Sequence, residues 1–332
     1  MRNPLLLFLF LIVSIPAFGQ IQNYREYQKD IHTAELHLAR GQKQKALDKY
    51  QEVLIGSEEN FAKDVYNALL VADELGETEC FFELVNLLLP KGLEHDYLKS
   101  LEVFKRWEAD PRWLAFLKAN EQSKVKEPKL KATLDQLARD DQFFRTKDGS
   151  YDVYGDTIKH IDSVNMRFLL NLIANDKFPG ETMIGARNVR GKQPVDIILH
   201  HYCQSTSLDS ERATITDELV DLVQMGKILP NKCGLWLEMQ NSGFNAGVFD
   251  VLGFKIDGVL SDWFVPILNK EDATEVAQTR QLLGMEPLEE YYEKIRFNLQ
   301  NTGSDYVFDI SKSIFELDQA QVELITKNMR KL

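Results

Sequence analysis

The sequence predicts a mostly α protein: an N-terminal helix-turn-helix repeat array followed by an α-rich globular domain with minor β structure. Three observations carry this expectation. Two segments about 35 positions apart, "GQKQKALDKYQEVL" from Gly41 and "GETECFFELVNLLL" from Gly76, each place apolar residues at spacings of three and four after a glycine. That period vanishes beyond the polar stretch "EQSKVKEPKLK", which Pro128 interrupts as in a linker. Helical spacing then resumes, broken only by a glycine- and aromatic-rich region after Gly234 where a small hairpin or irregular loop is expected. The chain therefore divides into residues 1–19, 20–125 and 126–332.

The first of these divisions reads as a secretory leader. "MRNPLLLFLFLIVSIPAFGQ" has one basic residue, Arg2, an apolar run from Leu5 to Ile15, and small residues Ala17 and Gly19 before Gln20, which places cleavage after Gly19. The run is shorter than the roughly 20 residues that span a bilayer, so no membrane attachment is expected after cleavage. The expected location is periplasmic or secreted. With 39 basic and 51 acidic residues, and a formal charge of -12, the chain lacks the clustered Lys and Arg that phosphate backbones or anionic membranes require. Nucleic acid is not an expected partner. Three cysteines, Cys80, Cys203 and Cys233, are too few for a disulfide-built scaffold, although one bridge between Cys203 and Cys233 is left open.

In the first repeat the stripe runs through Ala46, Leu47, Tyr50, Val53 and Leu54, and in the second through Phe81, Leu84, Val85 and Leu88. Each is preceded by another helical stretch, Ile31, Ala34, Leu38 and Val65, Leu69, Ala72. Ala34, Gly41, Ala46 and Tyr50 fall where the tetratricopeptide repeat family prefers small, turn, small and aromatic residues, and the first part of the chain resembles that family. His37 and Phe81 depart from its pattern, so the second copy is degenerate. A third unit is expected in "DYLKSLEVFKRW", with Leu98, Leu101 and Phe104 on one face, and "DPRWLAFLKA" restarts a helix with Asp110 as N-cap and Pro111 at its first position. Stacked helix pairs of this kind imply a concave surface that holds a protein or peptide partner; the competing reading is a structural spacer.

Past Pro128, "LKATLDQLARDDQFFR" sets Leu130, Leu134 and Leu137 on a seam that continues through Asp141 and Phe144. An acid on a buried stripe is the informative exception, and Arg145, four residues on, can pair with it. The next helix repeats the oddity: its stripe through Ile158, Ile161, Asn165, Phe168 and Leu172 carries Asp162 within one turn of Asn165. A buried carboxylate must be paired or protonated, so Asp141, Arg145, Asp162 and Asn165 are expected to form one polar cluster. A long loop follows through Pro179, Gly180, Gly185 and Gly191, whose glycines fit no phosphate-binding fingerprint, and no cofactor is expected.

Pro194 then opens a helix containing Val195, Ile198, Leu199 and Tyr202, within which "LHHYC" presents His200, His201 and Cys203. Adjacent histidines diverge by about 100 degrees on a helix and cannot readily share one metal, so no metal site is expected. His201 facing the Asp141 cluster is read either as a hydrogen-bonded core histidine or as a general base. Further helices are expected over Thr216–Met225, in "EDATEVAQTRQLLGMEPLEEYYEKI" with a break at Gly284, and through Val322, Ile325 and Met329, with a strand at "YVFDIS".

The order "DDQFFR", "DSVNMRFLL", "FPGETMIG", "IILHHYC" and "TRQLLGMEPLEEY" is similar to a bacterial family of domains of unknown function that often follows helical repeats in exported proteins. The resemblance implies that Asp141, Gln142, Arg145, Asp162, Asn165, His201 and Arg280 occupy the family's polar positions. Two departures stand out: "GLWLEMQNSGF" offers only Glu238 where an Asp-Arg pair is usual, and "VFDVLGF" replaces a Tyr-Gly-Thr-Gln stretch. The functional expectation is an exported protein-binding module built on the repeats. Its rival is a hydrolase-type enzyme with His201 as base, Asp162 or Asp141 as partner, and Arg145 or Arg280 as anion clamp. A base needs a solvent-open cleft beside a carboxylate; a structural histidine is enclosed.

Overall fold

The computed structural model describes residues 24–57, 60–122, 125–208, 213–240 and 243–332. The expected leader and cleavage point lie outside them. Two helix pairs open the described chain: α1 (Tyr24–Ala39) with α2 (Lys43–Ile55), and α3 (Ala62–Leu75) with α4 (Thr78–Asn86). Both expected stripes are buried, and Ala34, Ala46, Ala68 and Ala72 are fully enclosed where the helices approach most closely. At the end of α3 the Gly76 N–H donates to Asp73 O and the Glu77 N–H to Ala72 O, with Gly76 at φ 75°, a left-handed closure open to glycine at little cost.

The third unit differs from expectation. "DYLKSLEVFKRW" is not one helix but two short ones, α5 (His95–Ser100) and α6 (Glu102–Lys105), broken where Leu101 turns extended. The Ser100 hydroxyl bonds back to Tyr97 O, a local alternative to helix continuation. α7 (Pro111–Gln122) then begins as expected: Asp110 Oδ1 accepts from the Arg112 N–H at 2.8 Å, and Trp113 stacks on Phe104.

α8 (Pro128–Arg145), α9 (Ser150–Ala174) and α11 (Pro194–Leu208) pack on one another, with the one-turn α10 (Glu181–Ile184) in the intervening loop. Their core gathers Leu134, Leu169, Leu199 and Cys203 with Leu219 and Leu222 of α12 (Thr216–Gln224) and Cys233 and Trp236 of α13 (Pro230–Met239). α13 replaces the irregular structure expected from Gly234 onward, because Pro230 starts a helix that Gly234 does not interrupt. Cys203 and Cys233 are free thiols buried in this core, which pushes both well above the usual thiol range.

The sheet is small. β1 (Leu252–Ile256) and β2 (Val259–Pro266) form an antiparallel hairpin closed by Asp257 and Gly258, both at positive φ, as a two-residue turn demands. α14 (Lys270–Leu283) and α15 (Leu288–Gln300) follow, then β3 (Ser313–Glu316), parallel to β1, and β4 (Met329–Lys331), antiparallel to β2; the order is β3-β1-β2-β4. Two expectations fail here. The strand expected at "YVFDIS" does not form; those residues lie outside the sheet, with a bend at Asp309, and the strand begins only at Ser313. The last helix, α16 (Gln319–Thr326), stops before Met329, which enters β4, and its Ile325 is exposed.

The core of the two helix pairs is closed by later residues. Ala186, Val189, Leu229, Tyr306, Val307 and Phe308 belong to the same apolar cluster as α1–α4. Asn67 of α3 clamps the extended segment: its Nδ2 donates to Val307 O at 2.9 Å and its Oδ1 accepts from the Val307 N–H at 2.8 Å. Tyr306 adds a hydrogen bond to Glu74 at 2.6 Å. This segment thereby packs on α3, while α15 packs on α1.

Candidate functional site

Asp141 is the hub of the cluster expected between α8, α9 and α11. Leu134 and Ala138 on its side of α8 are buried, so the carboxylate is carried inward with them and is 1% exposed. Its Oδ2 lies 2.7 Å from His201 Nδ1 and accepts from Gln142 Nε2 at 2.9 Å, while Oδ1 stands 3.0 Å from Arg145 Nη1. Arg145 spends every nitrogen locally. Nη2 donates to Asp162 Oδ1 at 2.6 Å, Nη1 also to Asp141 O at 2.9 Å, and Nε to the Tyr151 hydroxyl at 3.1 Å. Burial alone would depress the guanidinium, but the hydrogen bond to Asp162 and the charge of Asp141 outweigh it and hold Arg145 above its ordinary value.

Asp141, Arg145, Asp162 and His201 are therefore brought together. Asn165 is buried beside them but donates to Leu137 O at 3.4 Å, pinning α9 to α8 rather than joining the charged group. Arg280 lies elsewhere altogether. It is 1% exposed in α14, donating from Nε to Glu286 O at 2.6 Å and from Nη1 to Ala246 O at 2.7 Å, with Tyr291 beneath its guanidinium. Glu238 holds the same loop from the other side, accepting from the N–H groups of Ala246, Val248 and Phe249.

The His201–Asp141 pair has the orientation of a base and its positioning acid, and no described residue engages Nε2. The His201 side chain is 11% exposed; of the polar group, Gln142 lines a cavity with Ala138, Phe143 and Ile197, and Asp141, Arg145, Asp162, Asn165 and His201 line none of the five principal cavities among the described residues. The neighbouring His200 is pushed down by burial and by His201. Among the described residues no three His, Cys, Asp or Glu side chains converge as metal ligands.

A second buried charge cluster escaped sequence reasoning. Lys294 of α15, 0% exposed, stands 2.7 Å from Glu35 and 2.5 Å from Glu286; Lys63 stands 2.7 Å from Glu35 and 2.5 Å from Asp64. His32 lies 3.2 Å from Glu286, and Tyr27 donates to Asp64 at 2.6 Å. With Arg280 at 3.9 Å from Glu286, the carboxylates Glu35, Asp64 and Glu286 balance the cations Lys63, Lys294 and Arg280. Burial opposes ionisation of Glu286, but His32, Lys294 and Arg280 overcome it and bring the carboxyl down to about 2. The same contest holds Glu35 well below, and Lys63 well above, their ordinary ranges. The signal was present: Glu35 is four residues after Ile31 and three before Leu38, on the stripe, and Lys294 is three after Tyr291.

A cavity of about 700 Å³ lies beside this cluster, between α14, α15, the β2–α14 connection and β4. Its walls include Val276, Met285, Leu288 and Ile267, with Arg280, Tyr292 and Arg330 among the polar lining. Most ligand sites are of this kind: concave, largely apolar and carrying a few convergent polar groups. No family model, no curated protein and no solved structure matches the chain. The likeness to tetratricopeptide repeats and to the exported domain family thus stands on the residues quoted above.

Proposed function

We propose that the chain is an exported binding module whose ligand enters the cavity between α14 and α15, with the helical repeats as its scaffold. The observation that carries this reading is a contrast. Asp141, Arg145, Asp162 and His201 are largely enclosed and meet the five principal cavities only through Gln142, whereas the 700 Å³ cavity combines a mainly apolar wall with a few polar side chains. Catalysis needs a reacting atom within reach of the base, and binding needs only a preformed, dry concavity. Export rests on the leader pattern before Gln20.

The test is a titration of the full chain with the neutral apolar dye N-phenyl-1-naphthylamine. Saturable enhancement of its fluorescence is expected, abolished by Ala277→Trp at the exposed mouth and unchanged by His201→Ala. A linear, non-saturable response, or one indifferent to Ala277→Trp, would overturn the reading. The hydrolase reading keeps one specific support, the 2.7 Å His201–Asp141 contact. Turnover of activated ester substrates that disappears in His201→Ala would favour it.

A further inference from the structure

The two edges of the sheet differ. β4 closes one side with only three residues, of which Arg330 and Lys331 are each paired to a carboxylate of the same chain. Short length and charge are what keep an edge strand from joining another. β3 closes the other side with Ile314 49% and Phe315 46% exposed. Alternation fixes which of its backbone groups are spent. The N–H groups of Ser311, Ser313 and Leu317 donate inward, to the Tyr291 hydroxyl at 2.8 Å, Val251 O at 2.9 Å and Lys255 O at 3.0 Å. The two-residue period of a strand therefore turns the N–H and C=O groups of Lys312, Ile314 and Glu316 away from the sheet. The side chains of these three share one face, opposite to Phe315, whose ring lies 6.4 Å from that of Phe254. Ile314 stands opposite Gly253 in the register and so has no side chain across from it on β1. Lys312 donates to the Asn298 amide at 2.6 Å, and partial burial pushes its ammonium below the ordinary range. Among the described residues neither Lys312 nor Glu316 joins an ion pair, although Glu316 lies opposite Lys255.

We infer that β3 pairs antiparallel with β3 of a second copy of the chain about a two-fold axis at Ile314, so that Ile314 meets Ile314 and each Lys312 faces Glu316 of the other copy. The sequence "KSIFE" is self-complementary in this register: reversed upon itself, it sets lysine against glutamate at both ends and isoleucine against isoleucine between them. The backbone agrees with the side chains. Ile314 exchanges both of its hydrogen bonds with its copy, and Lys312 exchanges both of its with Glu316, which uses every outward group of the strand. An arbitrary extended peptide would match the backbone but has no reason to answer both charges; a copy of the strand answers them by symmetry. Pairing β3 with β4 of another copy would bring Lys312 towards a strand that carries Arg330 and Lys331, and would leave edges free for an open filament.

The experiment is sedimentation velocity of the full chain in about 0.15 M salt, where a screening length of about 8 Å mutes the repulsion between two acidic chains. An edge of 4 residues buries less than the roughly 1,200 Å² of a permanent interface, so a monomer–dimer equilibrium with Kd on the order of 10–100 µM is expected. Lys312→Glu and Glu316→Lys each set like charges opposite one another twice, and each should weaken self-association by about tenfold or more. An equimolar mixture of the two variants restores lysine against glutamate in every pair and should dimerise as the parent does; so should the double variant. Loss of fold cannot produce that rescue. Hydrogen exchange reads the register: the amides of Ile314 and Glu316 should slow as concentration rises, whereas those of Ser313 and Leu317, already bonded within the chain, should not change. A monomer at every concentration up to about 1 mM, a mass that grows past the dimer, or single variants that associate like the parent would overturn the inference. A mixture that associates no better than either variant alone would do the same.

Discussion

Replacing Lys294 by Met tests whether the buried charge cluster locks α15 onto the repeats. The substitution keeps the length of the stem and removes the ammonium from between Glu35 at 2.7 Å and Glu286 at 2.5 Å. At an effective dielectric of 20 each contact is worth roughly 6 kcal/mol of Coulomb energy, much of which offsets the several kcal/mol of desolvating the ions. The net cost of removing one partner from a buried pair is about 3–5 kcal/mol, because the remaining carboxylates stay buried and uncompensated. Against a total stability of about 5–15 kcal/mol, that is a large fraction. Urea unfolding followed by tryptophan fluorescence reads the change, since Trp113 and Trp236 are buried on opposite sides of the seam at Pro128. The decisive comparison is the double variant Lys294→Met with Glu286→Gln, which removes the orphaned charge and should recover about 1–3 kcal/mol relative to the sum of the single effects. A Lys294→Met loss below about 1 kcal/mol, or strict additivity in the cycle, would refute the claim that these charges act as a unit.

Three further outcomes follow from the same geometry. Glu286 is depressed from the ordinary 4.5 to about 2, so its ionisation contributes stability that is fully present above pH 4.5 and is lost as the pH falls towards 2. That contribution is about 3 kcal/mol, and the acid limb of a stability-versus-pH curve should flatten correspondingly in Glu286→Gln. Asn67→Ala leaves the buried N–H and C=O of Val307 without partners and should cost about 2–4 kcal/mol; proteolysis within residues 304–311 should quicken, and unchanged proteolysis would count against the clamp. Asp141→Ala strips His201 of its acceptor and Arg145 of one of two carboxylates, with an expected loss of about 2–4 kcal/mol in thermal or urea unfolding; full stability would make the cluster dispensable to the fold.

Where the sequence was legible, one periodicity governed one helix. The stripes of α1–α4 and the inward Asp141 and Asp162 follow directly from spacings of three and four, and so does the meeting of those acids with His201 once Pro194 starts α11. Arg280 was misplaced because a shared position in a family pattern fixes order along the chain and not proximity in space. The hairpin was expected only loosely, although "KIDGVL" holds an Asp-Gly pair whose two residues both adopt positive φ, the strongest short-range turn signal in that region. "YVFDIS" reads as a strand because its residues favour extended backbone; what it pairs with, the Asn67 side chain on a helix, has no periodic signature. Met329 continues an apolar spacing from Ile325, but the chain must leave the helix to place β4 against β2, and long-range sheet pairing overrides local preference. Lys63, Lys294 and Glu286 were hidden by the assumption that charges face water, which holds for isolated charges and fails for balanced sets.

The position of residues 304–311 decides where a ligand can act. They lie against α3, held by both hydrogen-bonding groups of Asn67 and by Tyr306 on Glu74. An external peptide of similar chemistry would compete with a tethered segment whose effective concentration is on the order of millimolar or higher, and β3 anchors that segment immediately downstream at Ser313. Displacing it would also loosen Phe308 from Phe297 of α15, the helix that carries Lys294 into the ion cluster. The same helix presents Tyr292 to the cavity. α15 therefore has two faces: one joins charges across to α1 and fixes the helix in place, and the other lines the cavity between α14 and β4 through Leu288 and Tyr292. A cavity wall held rigid in this way loses little conformational freedom when it is filled, and the ion pairs from α15 to α1 supply that rigidity from behind.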